Sequence, residues 1–157
     1  MNNTPILEFK NNKEFQKYCK FYQHLLFLDD WFIKFKMVDK IDLPDNNDNY
    51  VRIDGQCLFD FNSKSAVISI VNKSMYDEDI NSRTVVECVI IHELLHLKVE
   101  YWKNSLSISD NEDMFGLLNH QYMEQMAKSI LMLRYNLDYD YFMGEDNGEK
   151  EKTTNNT

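Results

Sequence analysis

Glycine and proline are scarce in this 157-residue chain, at four and two residues. That scarcity excludes collagen-like, proline-rich and low-complexity architectures. Cysteine is sparse and odd in number: Cys19, Cys57 and Cys88 are scattered along the chain, which argues against a disulfide framework and fits reduced thiols in the cytoplasm. No apolar run reaches the roughly 18 residues of a membrane span, and Met1–Pro5 lacks the basic and then apolar regions of a secretory signal. A cytoplasmic protein with no membrane partner is therefore expected. Positive charge is also short, with 17 Lys and Arg against 26 Asp and Glu and a net charge of −9. No nucleic-acid partner is expected, because affinity for a phosphate backbone comes from cations that displace counterions. The first forty residues carry seven lysines against five acids, so the whole acidic excess lies beyond Lys40. Such an excess is a solvated face that keeps the protein soluble, or a surface that draws in a basic partner.

What is present is enough apolar sequence for one core. With 43% hydrophobic residues, the length suits a single domain over residues 1–143. Gly144 onward is polar and charged without apolar anchors, so residues 144–157 are expected to form a disordered tail.

Phe15, Tyr18, Cys19, Tyr22, Leu25 and Leu26 recur at helical spacing, which predicts an amphipathic helix from Lys13 to Leu28. Trp31 to Val38 alternates Ile33, Phe35 and Met37 against Lys34 and Lys36 and reads as a strand. A loop over residues 43–49 follows, rich in Asn and Asp. Tyr50 to Phe61 reads as a strand interrupted near Asp54-Gly55, where a glycine marks a turn or bulge. Asn62-Ser63-Lys64 then leads tightly into a third strand, Ser65 to Val71, and three strands joined in this way predict an antiparallel meander. Asn81 or Ser82 is a candidate N-cap for a helix from about Arg83 to Trp102, apolar around nearly its whole circumference and therefore buried. After a polar break over Ser107–Asp113, with Ser109 or Asp110 as cap, a last helix is expected through about Leu137. The class is α+β.

The central helix contains His92-Glu93-Leu94-Leu95-His96, an H-E-x-x-H pattern. Four residues make one helical turn, so both imidazoles leave the same face and can reach one tetrahedral zinc ion with nitrogen ligands at about 2.0–2.1 Å. Glu93 lies about 100° further round, where its carboxylate meets water rather than metal. Chance places such a pattern in on the order of one per cent of chains this size or fewer. Three ionisable groups in so apolar a helix would be costly to bury without a metal or a hydrogen-bond network. A third ligand is needed, and the last helix offers His120 and Glu124, one turn apart and on the same side. Glu124 is favoured as the ligand, with His120 as a neighbouring or transition-state group, although the ligand role stays open to His120. Glu112 and Asp113 suit the start of that helix, where acids complement the macrodipole. Cys88, one turn before His92, reads as a small thiol packed beneath the site.

Val85 to Leu97 resembles the active-site helix of compact H-E-x-x-H peptidases, including the ImmA/IrrE-like group of mobile elements and bacteriophages. Glu124 to Met132 is similar to that group's later helix, in which a glutamate precedes an alanine and a short apolar run. The resemblance covers about residues 60–135. It implies a minimal zincin: an N-terminal helix, a small three-stranded and mainly antiparallel sheet, the buried H-E-x-x-H helix and a C-terminal helix. It further implies Zn²⁺ on His92, His96 and Glu124, with Glu93 as base. This chain departs from that pattern in having no helix-turn-helix, no proline after Met132 and no third histidine at metzincin spacing.

The expected activity is zinc-dependent hydrolysis of peptide bonds in a protein or peptide substrate, with Glu93 moving the water proton. His120 is the first candidate donor to the developing oxyanion, followed by Tyr101, Tyr122 and Tyr76. Ser65 to Val71 is expected to lie as a sheet edge along the cleft, where an extended substrate can pair with it. The alternative is a non-catalytic zinc protein that acts by binding another protein as an inhibitor or adaptor.

Overall fold

The first amphipathic stretch forms α1, Asn12–Leu25. Asn11 caps it in extended conformation, its Oδ1 accepting the Glu14 N–H at 3.0 Å, while Glu14 accepts the Lys10 N–H at 3.1 Å; together they satisfy donors that the helix start leaves without partners. Phe15, Tyr18, Cys19 and Tyr22 form its buried stripe. The helix stops three residues short of the expected Leu28, because Phe27 takes a left-handed conformation (φ 53°). The Phe27 and Leu28 N–H groups then return to the carbonyls of His24 and Gln23, both at 2.9 Å, the hydrogen-bond pair of a Schellman ending.

A computed structural model describes residues 4–44, 50–72, 85–106 and 112–142. The expected caps at Asn81, Ser82, Ser109 and Asp110, and the tail 144–157, lie outside the described residues.

Five strands follow α1: β1 Phe32–Val38, β2 Asp42–Pro44, β3 Tyr50–Arg52, β4 Gly55–Asp60 and β5 Ser65–Val71. The main sheet has the order β1-β5-β4. β5 pairs in parallel with β1, from Phe32↔Ser65 to Val38↔Val71, and antiparallel with β4, from Gly55↔Ile70 to Asp60↔Ser65. This corrects the meander: the sheet is mixed rather than mainly antiparallel, and β5 is its central strand rather than an edge. The cause is local, since β2 and β3 pair with each other as a separate antiparallel ribbon, which leaves one side of β1 to β5. The interruption at Asp54-Gly55 is real; there the Asp54 carbonyl accepts the Val71 N–H at 2.8 Å. The pleat puts Ile33, Phe35, Ala66, Ile68 and Ile70 on the buried face and Phe32, Lys34 and Lys36 on the exposed one.

α2, Val86–Leu106, packs on the buried face of the sheet and against α1 and α3. Val86, Ile90, Ile91, Leu94 and Leu97 are all buried along it, so its apolar residues wrap round it as the sequence requires. α3, Glu112–Tyr135, presents Met123, Ala127 and Leu131 to the core. It ends at Asn136 (φ 52°), with the Leu137 N–H returning to Met132. A 3₁₀ turn, Tyr139–Phe142, buries Phe142. The protein is α+β, with three α-helices and a small mixed sheet among the described residues. Among the described residues no helix is long and apolar enough to cross a membrane.

Candidate metal centre

α2 fixes the first half of the site. His92 and His96 are one turn apart, their ring centroids separated by 5.1 Å. α3 brings His120 to them, at 4.5 Å from the His92 ring and 5.8 Å from that of His96. One nitrogen from each of the three rings lies within 4.8 Å of the other two. Three imidazoles are a fitting donor set for zinc.

Burial, followed by the neighbouring His96 and His120, pulls His92 down to about 4, while Glu124 opposes the change. Burial, with His120 behind it, lowers His96 to about 4 as well. Both rings are therefore neutral at physiological pH, the form in which a nitrogen lone pair can bind a metal.

Glu93 sits beside this cluster, only 6% exposed. Its Oε2 is 4.0 Å from His96 Nε2. Burial alone pushes its carboxyl up to about 8, within the range where a group can both take and give a proton near neutral pH. These groups line a cleft of about 560 Å³, whose other walls include Ile53, Gly55, Val85, Val89 and Phe142.

Glu124 was the favoured third ligand, and the structure places it at the cleft but outside the three-nitrogen cluster. Its Oε1 accepts from Lys128 Nζ at 2.6 Å, and its side chain is 54% exposed. Lys128 holds its carboxyl below the usual glutamate range. The difference between the two candidates lies in what their side chains meet: the His120 ring faces those of His92 and His96, whereas Glu124 is paired with Lys128. His120, Met123, Ala127 and Leu131 follow a 3-4-4 spacing along one stripe of α3, and the last three are buried. Glu124, one turn after His120, lies beside that stripe and also lines the cleft.

Cys88 lines the cleft below His92, and Cys57 reaches it from β4. Burial pushes both thiols up to about 12, aided at Cys57 by the Glu93 charge, so both remain protonated and apolar in behaviour. Of the tyrosines considered as oxyanion donors, Tyr122 is exposed; Tyr76 and the Tyr101 side chain lie outside the described residues. Glu112 opens α3 and Asp113 follows it, as expected of acids at a helix start.

Sequence reasoning missed Gly55, Cys57 and Lys128 as cleft residues. The available signal for Gly55 was an isolated glycine within a strand, which marks close approach of another group as often as a turn. No protein-family model, no curated protein and no solved structure matches this chain.

Proposed function

We propose that the chain is a zinc-dependent peptidase in which His92, His96 and His120 hold the ion and Glu93 carries the proton. The observation behind this reading is the convergence of three imidazoles from two helices beside a buried carboxyl, all lining one cleft. A bound zinc ion supplies a Lewis acid that polarises the scissile carbonyl and makes water acidic enough to react near neutral pH.

The remaining work falls to side chains of the chain. Glu93 accepts a proton from the attacking water and delivers it to the departing amine nitrogen, and its raised proton affinity suits both halves of that transfer. The apolar walls formed by Val85, Val89 and Phe142 limit bulk water around Glu93, which strengthens electrostatic interactions there. Glu124 places negative charge next to His92 and His120, which favours a cation among them. As a ligand, His120 is not also the oxyanion donor, and Glu124 Oε1 is engaged by Lys128.

An extended substrate is accommodated by β4 rather than by β5. β4 is the outer strand on the cleft side, and Gly55, Gln56 and Cys57 border the cleft. Main-chain hydrogen bonds to such an edge provide affinity without demanding a particular sequence.

The test is to incubate the zinc-loaded protein with a proteome-derived peptide mixture and identify new termini by mass spectrometry. Glu93→Gln should abolish cleavage while the protein keeps one equivalent of zinc. An undiminished biological effect in that variant would favour a non-catalytic binding protein instead.

A further inference from the structure

We infer that Gly55 is a positioning residue for Glu93: the missing side chain at the start of β4 is the space in which the Glu93 carboxylate is held. The inference rests on the reading of Glu93 as the proton carrier. A Cβ built on Gly55 would lie 2.6 Å from Glu93 Oε1, 2.8 Å from Glu93 Cγ and 2.7 Å from Val89 Cγ1. All three distances are shorter than carbon contacts allow. The φ of Gly55 is not in the left-handed region, so the requirement for glycine is one of space and not of backbone conformation.

Neither wall of this space yields easily. On one side β4 is paired residue by residue with β5, from Gly55↔Ile70 to Asp60↔Ser65, and the Asp54 carbonyl beside it holds the Val71 N–H. On the other, Val89 is β-branched and stiff at χ1 in a helix, and α2 is anchored two residues earlier by the buried Glu87. The element with freedom to move is the end of the Glu93 side chain. A methyl group at position 55 therefore turns the carboxylate away from its place beside His96. The imidazoles of His92, His96 and His120, none of which is among the atoms nearest that Cβ, keep theirs. The glycine thus sets the position of the base without touching the metal ligands.

A double-mutant cycle tests this without any assay of activity. Gly55→Ala, Glu93→Ala and the double variant are compared with the parent protein in thermal unfolding, all stripped of metal. Gly55→Ala should lower Tm by about 5 °C in the parent and by measurably less when Glu93 is alanine, the residual loss coming from the Val89 Cγ1 contact that both backgrounds share. Equal losses in both backgrounds would overturn the inference. Should Gly55→Ala fail to fold, the cycle is repeated in a Val89→Ala background, which removes the shared clash; there, recovery of folding by Glu93→Ala supports the inference, and no recovery contradicts it.

A second readout separates positioning from general damage. In the zinc-loaded protein, Gly55→Ala should reduce kcat by about 10-fold or more while KM and zinc affinity stay within about threefold. A loss of zinc affinity equal to the loss of kcat would indicate damage to the whole site and contradict the assignment. If no variant, including the parent, cleaves peptide, the peptidase reading fails, and the stability cycle still decides whether Gly55 holds Glu93.

Discussion

Removing the Glu87 carboxylate should be among the most damaging single changes in this protein. Glu87 is fully buried near the start of α2, where its carboxylate gathers the N-terminal segment, α1 and α3. It accepts the Ile6 N–H at 3.0 Å, the Tyr135 hydroxyl at 2.9 Å from both oxygens, and the Tyr22 hydroxyl. Arg134 Nη1 lies 3.7 Å from Oε1, and its guanidinium packs over the Phe21 ring at 4.2 Å. Burial, with the Glu87 charge behind it, pushes both tyrosine hydroxyls well above their ordinary range, which keeps them as donors. Glu87→Ala deletes the acceptor for all these donors and removes a buried carboxylate from beside Arg134. Breaking a buried ion pair from one side costs about 3–5 kcal/mol. Tyr135→Phe removes one donor and leaves the Ile6 and Tyr22 contacts, so it should cost about 1–2 kcal/mol. Urea denaturation of the metal-free proteins measures both values. A cost below about 1 kcal/mol for Glu87→Ala, or one no larger than that of Tyr135→Phe, would refute the reasoning.

Phe27 is 83% exposed and holds a left-handed φ of 53°, so Phe27→Gly relieves backbone strain at little cost in burial. After allowance for the freer unfolded chain, a gain of about 0.5–1 kcal/mol is expected in the same urea assay; a loss would show that the Phe27 side chain matters to the fold. The metal-free protein should also show two opposed pH dependences. His92 and His96 titrate near 6.5 when unfolded and at about 4 when folded, so the stability they contribute is full above 6.5 and is lost as pH falls towards 4. Glu93 is the reverse: its carboxyl rises from 4.5 to about 8 on folding, so its contribution is full below 4.5 and is lost as pH rises towards 8. Glu93→Gln should therefore flatten the decline between pH 6.5 and 8 and steepen the rise from pH 5 to 6.5, where the loss at Glu93 otherwise offsets the gain at the histidines, which denaturation at pH 5, 6.5 and 8 will reveal. An equal decline in the variant would assign it to other groups.

Local patterns carried most of the element assignments. Ser65–Val71 was bounded correctly by its turn and its β-branched residues, and the apolar circumference of α2 marked it as buried. Sheet order was not legible, because it depends on contacts between residues more than thirty positions apart, such as Phe32 and Ser65. A hint existed in Ala66-Val67-Ile68, whose continuous apolar character suits a strand with neighbours on both sides better than an edge. The two histidines and the glutamate of α2 were legible because one helix fixes their spacing. The contribution of α3 was harder to read, since His120 and Glu124 lie one turn apart and both line the cleft, so spacing alone does not rank them. The small Ala127 and the buried Met123 and Leu131 set the phase of α3 and bring both residues there. Gly55 was read as a turn or bulge; its closeness to Glu93 arises only when β4 and α2 pack together.

The central claim is that three imidazoles from α2 and α3 form one zinc site. Chelator-competition titration with Zn²⁺ of the stripped parent, His92→Ala, His96→Ala, His120→Ala and Glu124→Ala tests it most directly. The parent should bind one equivalent, each histidine variant should bind at least about 100-fold more weakly, and Glu124→Ala should stay within about fivefold of the parent. A parent that binds no zinc, or a His120→Ala protein that retains full affinity while Glu124→Ala loses it, would contradict the claim.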